Sequence, residues 1–187
     1  PVSFPENTYP FLNKHKGYEV ADKVYQNFLE YKLVNDSKEL SEKNRNLVFQ
    51  TIHNDSRLEL LTVSASSLLI DNFSMGKVLS ALVAVLCTYF NNLDYNFRVL
   101  LDGQITLLPS FDSFLWNSIL AENNLNPNLI FDNWLDDMNI HKENKSDFKY
   151  LSVALASNFA KVKRDNFMRI LADKYPEYSW DKNKGYG

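Results

Sequence analysis

The spacing of hydrophobic residues along the chain predicts helices that alternate with strands. Apolar side chains recur every three or four residues in several segments, and Ser41 and Ser74 are placed to begin two of the resulting helices. Residues 57–66 alternate between polar and apolar, and the short apolar run 97–103 stops on an acid and a glycine, so both segments predict strands. We therefore expect an α/β fold built around a sheet. The segments with helical spacing are 18–33, 41–52, 74–91, 150–162 and 165–175.

Two details of this pattern can be checked directly. In the helix after Ser41 we expect Leu47, Val48 and Ile52 to form the inner face, because they lie on neighbouring turns. The stretch 111–140 is rich in Asn, Asp and aromatic residues, and we expect it to be an insertion within one domain that spans residues 1–187.

Composition fits a single globular domain. The 187 residues are 45% hydrophobic and 23% charged, which is ordinary for a chain with a packed core. The single cysteine, Cys87, lies in an apolar run and has no partner for an intrachain disulfide, so we expect a buried core thiol rather than a reactive one.

Nothing in the sequence predicts a membrane segment or a targeting signal. The longest apolar run contains 13 residues, whereas a bilayer span needs about 20. The N-terminal residues have neither a basic start nor an apolar stretch of the kind found in signal peptides. We therefore expect a cytoplasmic protein with no membrane partner.

Charge is distributed unevenly along the chain. The net charge is −3, but residues 161–187 hold seven Lys and Arg against four Asp and Glu, whereas residues 104–140 contain no Lys or Arg. A local basic patch is what contact with phosphate groups requires, whatever the total charge of the protein. The C-terminal end is therefore the predicted place for a nucleic-acid backbone.

Two aspartates are the main candidates for chemistry. Asp102 ends a predicted buried strand, where α/β sheets place their sites, and Gly103 after it lets the chain turn away. The alternative is that Asp102 caps a turn. Asp147 comes just before a predicted helix and is placed to hold Mg²⁺, although an ordinary acid at a helix N-terminus is the alternative.

Candidate substrate contacts surround these acids. Ser157, Lys161 and Arg164 fall at helical spacing on roughly one face, where a hydroxyl and two cations can follow a phosphate backbone; a solvated face is the alternative. The polar stretch with Ser37 and Lys38 precedes a helix and offers donors to an anion, although a simple N-cap gives the same pattern.

Other common site types are weakly represented. The three histidines lack metal-ligand spacing, and the chain has neither a P-loop, nor a GxGxxG sequence, nor a nucleophile elbow. The acidic cluster of Asp132, Asp136 and Asp137 is interpreted as a solvated face rather than a metal site.

Taken together and in order, several of these strings resemble type 2 ribonuclease H. The resemblance runs from residue 35 to residue 187, and it implies a ribonuclease H-like fold with a mixed central sheet, helices on both faces and a helical C-terminal part. It also implies an endonuclease that cuts the RNA-containing strand of RNA/DNA hybrids, including at single ribonucleotides in duplex DNA. The matching strings are NDSKELSEKNR, VLLDGQ, SDFKYLSVALASNFAKVKRDNFM and YPEYSWDKNKGYG.

The resemblance gives roles to individual residues. Asp102 and Asp147 resemble the third and fourth of four carboxylates that bind Mg²⁺ or Mn²⁺ for two-metal phosphodiester hydrolysis. Tyr186, between two glycines, resembles the tyrosine that packs against the sugar at the ribonucleotide junction. The residues that resemble phosphate-contacting positions are Asn35, Ser37, Lys38, Ser157 and Lys161.

The chain also departs from the family pattern. The Asp-Glu pair and Gly-Arg-Gly loop that hold the family's first two carboxylates are not found in the sequence. We expect a fragment that lacks sequence at both ends; the alternative is a natural variant that has lost the pair and binds hybrids without cutting them. A junction resolvase of the same superfold is a third possibility, which the C-terminal KNKGYG string disfavours. Asn158 and Phe159 replace small or branched apolar residues. A monomer is expected.

Overall fold

The structure, a computed structural model, describes residues 2–3, 40–55, 58–92, 98–129 and 138–184. The predicted helix at 18–33 and the acidic cluster of residues 132–137 lie outside the described residues. The elements in chain order are β1 (Val2–Ser3), α1 (Glu42–Asn54), β2 (Glu59–Leu60), α2 (Ser67–Phe73), α3 (Met75–Asn91), β3 (Val99–Asp102), α4 (Ser113–Glu122), β4 (Ile140–Glu143), a 3-10 helix (Ser146–Phe148), α5 (Leu151–Lys174), a second 3-10 helix (Pro176–Tyr178) and α6 (Trp180–Asn183).

Strands and helices combine as expected for the α/β class, which is confirmed. β1 and β2 form an antiparallel pair, and β3 and β4 form a parallel pair in which Val99 is opposite Ile140 and Asp102 is opposite Glu143. The strand predicted over 57–66 is wrong in its length, because only Glu59–Leu60 pairs with another strand among the described residues. Alternation alone does not supply a partner for the rest of that segment.

The larger of two hydrophobic cores lies between α3 and α4. Val78, Val85 and Cys87 of α3 are buried, as the helical spacing and the apolar run predicted. α4 belongs to the stretch 111–140, and it contributes fully buried side chains such as Leu115 to the same core. Whether 111–140 is an insertion stays a prediction, but this part of it stabilises the domain through burial.

α1 packs on α5 in the second core. Val48 and Ile52 face Leu151 and Leu155, so their predicted inner position is confirmed. The prediction for Leu47 is wrong, because its side chain is 54% exposed. Successive residues on a helix are about 100° apart, so a face centred on Val48 turns its neighbour away from the core.

α1 and α3 begin after Ser41 and Ser74 as predicted, but of these two serines only Ser41 makes a side-chain capping hydrogen bond. The Ser41 side chain accepts a hydrogen bond from the Asn44 N–H at 3.2 Å and begins α1. Ser74 precedes α3 with a φ of 75°, as the sharp bend between α2 and α3 requires. Of the described helices, none is long and apolar enough by itself to cross a membrane; α2 and α3 meet that test only as a pair, bent by 117°.

Helix α5 is longer than the sequence indicated. The two predicted helices at 150–162 and 165–175 are one continuous helix of 24 residues. The guanidinium of Arg164 donates to the Lys184 carbonyl at 2.8 Å and holds the described C-terminal residues beside α5.

The two residues of α5 that depart from the family pattern are both buried. Phe159 stacks on Phe49 of α1 with ring centroids 4.8 Å apart. Asn158 is 0% exposed, and within the part of the chain that the structure describes neither atom of its amide group has a hydrogen-bond partner. A polar group buried in this way destabilises the fold.

Candidate active site

The site begins at the carboxyl end of β3. Asp102 is the last residue of the strand and is exposed, and Gly103 then turns the chain with a φ of 84°. The Gly103 N–H donates to the Glu143 carbonyl at 2.9 Å, so the ends of the two parallel strands are fixed side by side. The predicted strand end at Asp102 is therefore confirmed.

Ser146 joins this strand end to the segment that carries the second aspartate. Its backbone N–H donates to Oδ1 of Asp102 at 2.9 Å. Its hydroxyl lies 2.7 Å from the Glu143 carbonyl and within 3.3 Å of both the Leu101 carbonyl and Asp102 Oδ1. Since Ser146 is only 1% exposed, it is an internal link between β3, β4 and the 3-10 helix.

Asp147 is the next residue along the chain. It lies in the 3-10 helix just before α5 and is 8% exposed. Lys145, in the left-handed region with a φ of 58°, turns the chain from β4 into this short helix. Asp102 and Asp147, which are 45 positions apart in sequence, are therefore on adjoining segments that share the Ser146 hydrogen bonds.

The donor set can be compared with what a divalent ion requires. Carboxylate oxygens are the hard ligands that Mg²⁺ and Mn²⁺ prefer, so Asp102 and Asp147 fit in chemical type. Among the described residues there is no group of three or more His, Cys, Asp or Glu placed to hold a metal ion. The two aspartates therefore fit a divalent ion in chemical type, but they do not by themselves make up such a group.

A polar cluster borders the same strand end. Glu143 of β4 accepts hydrogen bonds from Lys149 and from the Tyr150 hydroxyl, the latter at 2.9 Å, and its carboxylate lies 3.5 Å from His141. The hydrogen bond from Lys149, followed by that from Tyr150, lowers the pKa of Glu143 below its ordinary value. Glu143 is therefore an anion engaged with its own neighbours, beside the exposed Asp102.

The predicted substrate contacts on α5 lie partly in a charged network. Ser157 and Lys161 are half-buried, and Arg164 is exposed. The Lys161 ammonium is 2.7 Å from Oδ1 of Asp165, a residue that is only 3% exposed. On the other side of that carboxylate, Oδ2 lies 3.7 Å from a guanidinium nitrogen of Arg45 on α1.

Sequence reasoning missed two residues of this arrangement. Ser146 stands directly before Asp147, and Asp165 stands four residues after Lys161, so position next to a candidate was the available signal in both cases. The remaining predicted contacts lie outside the described residues: Asn35, Ser37, Lys38 and Tyr186.

Comparison with known proteins connects this geometry to a family. A family model described as Ribonuclease HII matches residues 115–187, a range that includes Asp147, Ser157 and Lys161. Ribonuclease HII of Aliarcobacter butzleri is 30% identical over 154 residues, which are 82% of this chain and 64% of that protein. Over most of its length the chain therefore resembles ribonuclease HII proteins. Ribonuclease HII of Wolbachia sp. subsp. Brugia malayi is 32% identical over 154 residues, 82% of this chain and 61% of the relative.

Shorter matches to ribonuclease HII proteins have a higher sequence identity. Ribonuclease HII of Anaplasma phagocytophilum is 65% identical over 37 residues, which cover 20% of this chain and 18% of that protein. The chain spans less than two thirds of the length of the Aliarcobacter and Wolbachia relatives, 64% and 61% respectively. Solved structures give no significant match. The similarity to ribonuclease HII and the mixed α/β architecture agree with the ribonuclease H-like fold that the resemblance implied.

Proposed function

We propose that this protein, which resembles ribonuclease HII, is an endonuclease that hydrolyses the RNA-containing strand of RNA/DNA hybrids. Single ribonucleotides embedded in duplex DNA are included among its substrates. The observation that carries the proposal is the Ser146 link, which brings Asp102 and Asp147 to adjoining segments at the end of a parallel strand pair. This is the edge at which α/β proteins place their sites.

We further propose that Asp102 and Asp147 hold Mg²⁺ or Mn²⁺. Bound divalent ions would supply activation of water and stabilisation of the leaving oxygen during phosphodiester hydrolysis. The Ser146 N–H fixes Oδ1 of Asp102, and no described residue donates to Oδ2, so that oxygen is the proposed ligand atom. Asp147, held by a short helix in a buried position, is the proposed second carboxylate.

Substrate binding is assigned to the basic C-terminal part of the chain. Lys161 and Ser157 on α5 are proposed to contact phosphate groups of the duplex. Tyr186 is proposed to pack against the sugar that carries the 2′-OH, which distinguishes RNA from DNA. The loop residues proposed to contact phosphates are Asn35, Ser37 and Lys38.

Residues 1–187 are proposed to form a single domain that acts as a monomer, with 111–140 inserted in it. The cytoplasmic location stays a prediction from the sequence.

A second function is favoured by one observation. The described residues contain no cluster of three potential metal ligands, so a site built from Asp102 and Asp147 alone binds an ion more weakly than four carboxylates would. A protein of this kind would bind hybrids without cutting them. The two functions share the same substrate and differ in the outcome of one assay.

A nicking assay distinguishes them. The substrate is a DNA duplex with one embedded ribonucleotide, incubated with Mg²⁺ or Mn²⁺ and compared with an all-DNA duplex. Asp102→Asn is the control variant: its amide oxygen still accepts the Ser146 N–H, so the fold is retained while the negative charge is lost.

Metal-dependent cutting at the ribonucleotide, lost in Asp102→Asn, supports the nuclease. Binding of the duplex without cutting supports the second function. Wild-type rates in Asp102→Asn would contradict the assignment of this residue to the site.

A further inference from the structure

We infer that Asp165 is a positioning residue for substrate binding, which orders the cationic side chain of Lys161 against a phosphodiester backbone. The inference rests on the proposed function, because it concerns the same nucleic-acid substrate. It adds a carboxylate that is neither a metal ligand nor a substrate contact.

The first observation is the placement of the carboxylate. Asp165 is 3% exposed, and its two oxygens are shared between cations from different helices. Oδ1 lies 2.7 Å from the Lys161 ammonium, and Oδ2 lies 3.7 Å from the Arg45 guanidinium. The side chains of Lys161 and Arg45 are only 20% and 15% exposed. One buried carboxylate is therefore shared by two cations from different helices.

The second observation is where Arg45 leads. Another nitrogen of its guanidinium donates to the carbonyl of Leu40. Leu40 follows directly on the segment that carries Ser37 and Lys38, the other proposed phosphate contacts. Asp165 therefore joins, through Arg45, the end of that segment to the helix that presents Lys161.

A purely structural role is not needed at this position. α1 and α5 already pack through the second hydrophobic core, and a separate ion pair between Arg169 and Glu42 joins the same two helices. A buried ion pair contributes little net stability compared with apolar packing, because both charges lose their hydration. What Asp165 provides is a fixed position for two long, flexible cations.

Ordering a lysine in advance favours the binding of phosphate. A free lysine side chain loses much rotamer entropy when it is immobilised on a ligand, and Asp165 has already restricted that freedom. The ammonium group has three N–H donors, so a bond to Asp165 is compatible with a further bond to a phosphate oxygen. The expected ligand is the anionic backbone of an RNA/DNA hybrid, which is read by charge and position rather than by base sequence.

The test is a double-mutant cycle on duplex binding. Affinity for a labelled RNA/DNA hybrid is measured for the wild type, Lys161→Ala, Asp165→Asn and the double variant, over a range of salt concentrations. Asp173→Asn is the matched control, since it makes the same change of charge at an exposed position of the same helix. Circular dichroism at the assay temperature establishes that each variant is folded.

Positioning predicts coupling between the two residues. Lys161→Ala weakens binding by about tenfold in the wild-type background, as expected for a charge-assisted hydrogen bond, and by less than about twofold in the Asp165→Asn background. Asp165→Asn also binds more weakly than Asp173→Asn and loses about one unit of salt dependence, which a change in stability alone would not produce.

Two results would overturn the inference. Equal losses for Lys161→Ala in both backgrounds, or identical binding by Asp165→Asn and Asp173→Asn, would show that Asp165 does not act through Lys161. If Asp165→Asn does not fold, the cycle is repeated with Asp165→Glu, which keeps the charge but displaces it by one methylene, and the same coupling is required. A wild-type chain that fails to bind the hybrid would instead refute the proposed function.

Discussion

Replacing Ser146 with alanine tests what its hydroxyl contributes to the contact between β3, β4 and the 3-10 helix. The hydroxyl has one proton, and the nearest of its three potential acceptors is the Glu143 carbonyl at 2.7 Å. That carbonyl also accepts the Gly103 N–H at 2.9 Å, so it keeps a partner in the variant. The backbone N–H of Ser146, which holds Asp102, is unaffected.

The expected loss of stability in Ser146→Ala depends on the hydrogen bonds that the hydroxyl makes. Ser146→Ala removes one neutral hydrogen bond at a residue that is 1% exposed. The nearest acceptor, the Glu143 carbonyl, keeps the Gly103 N–H as a donor. The expected destabilisation is therefore about 1 kcal/mol, near the average for a net intramolecular hydrogen bond. For a domain of this size, that corresponds to a fall in Tm of roughly 2–4 °C.

Thermal unfolding followed by circular dichroism measures this change. Ser110→Ala, at an exposed position outside the helices, is the control and is expected to lie within about 0.5 kcal/mol of the wild type. Because the contact from the backbone to Asp102 is retained, divalent-ion binding is expected to weaken less than in Asp102→Asn. An unchanged Tm would refute the contribution of the hydroxyl, and a loss of ion binding equal to that of Asp102→Asn would refute the division of roles between backbone and hydroxyl.

Three further predictions concern residues that differ in burial and role. Burial raises the pKa of the Cys87 thiol to about 12 from a reference value of 9.0, so the folded protein keeps its proton where the unfolded chain loses it. The free energy of unfolding should then fall as pH rises above about 9. A thiol reagent at pH 8 should label Cys87 only as fast as the protein opens, and rapid labelling of the folded protein would contradict this. Asn158→Leu should raise the free energy of unfolding by about 1–2 kcal/mol, because it removes a buried amide that has no hydrogen-bond partner among the described residues. Urea denaturation measures this change, with Asn117→Leu at an exposed helix position as the control. A destabilised variant would mean that the amide is satisfied. Tyr186→Ala should weaken discrimination for the ribonucleotide junction more than it weakens duplex binding, and equal losses in paired binding and cleavage assays would count against a sensing role.

The features that the sequence predicted correctly are local ones. The end of β3 at Asp102 and the cap at Ser41 each depend on a few neighbouring residues whose chemistry favours one backbone conformation. The start of α3 after Ser74 was also predicted, although Ser74 makes no side-chain cap and has a φ of 75°. The burial of Val48 and Ile52 follows from helical spacing alone. Leu47 was misassigned because spacing defines a stripe but not its exact centre.

The features that the sequence did not predict depend on distant partners. Nothing in the sequence near Asp102 indicates that β3 pairs in parallel with β4, which begins 38 residues further along. The role of Ser146 depends on that pairing, and the role of Asp165 depends on the packing of α1 against α5. Such contacts are set by tertiary packing, which a periodic pattern in one segment does not specify.

The parallel pairing of β3 and β4 also has a kinetic consequence. Parallel strands cannot be joined by a tight turn, so the chain between Asp102 and Ile140, including the core helix α4, has to be brought into place before the pair is complete. Closing a loop of this length costs entropy before any contact compensates for it, which makes such pairings slow. We therefore expect Asp102 and Asp147 to come together late in folding. The divalent-ion binding proposed for this pair would then report that refolding has finished rather than that it has begun.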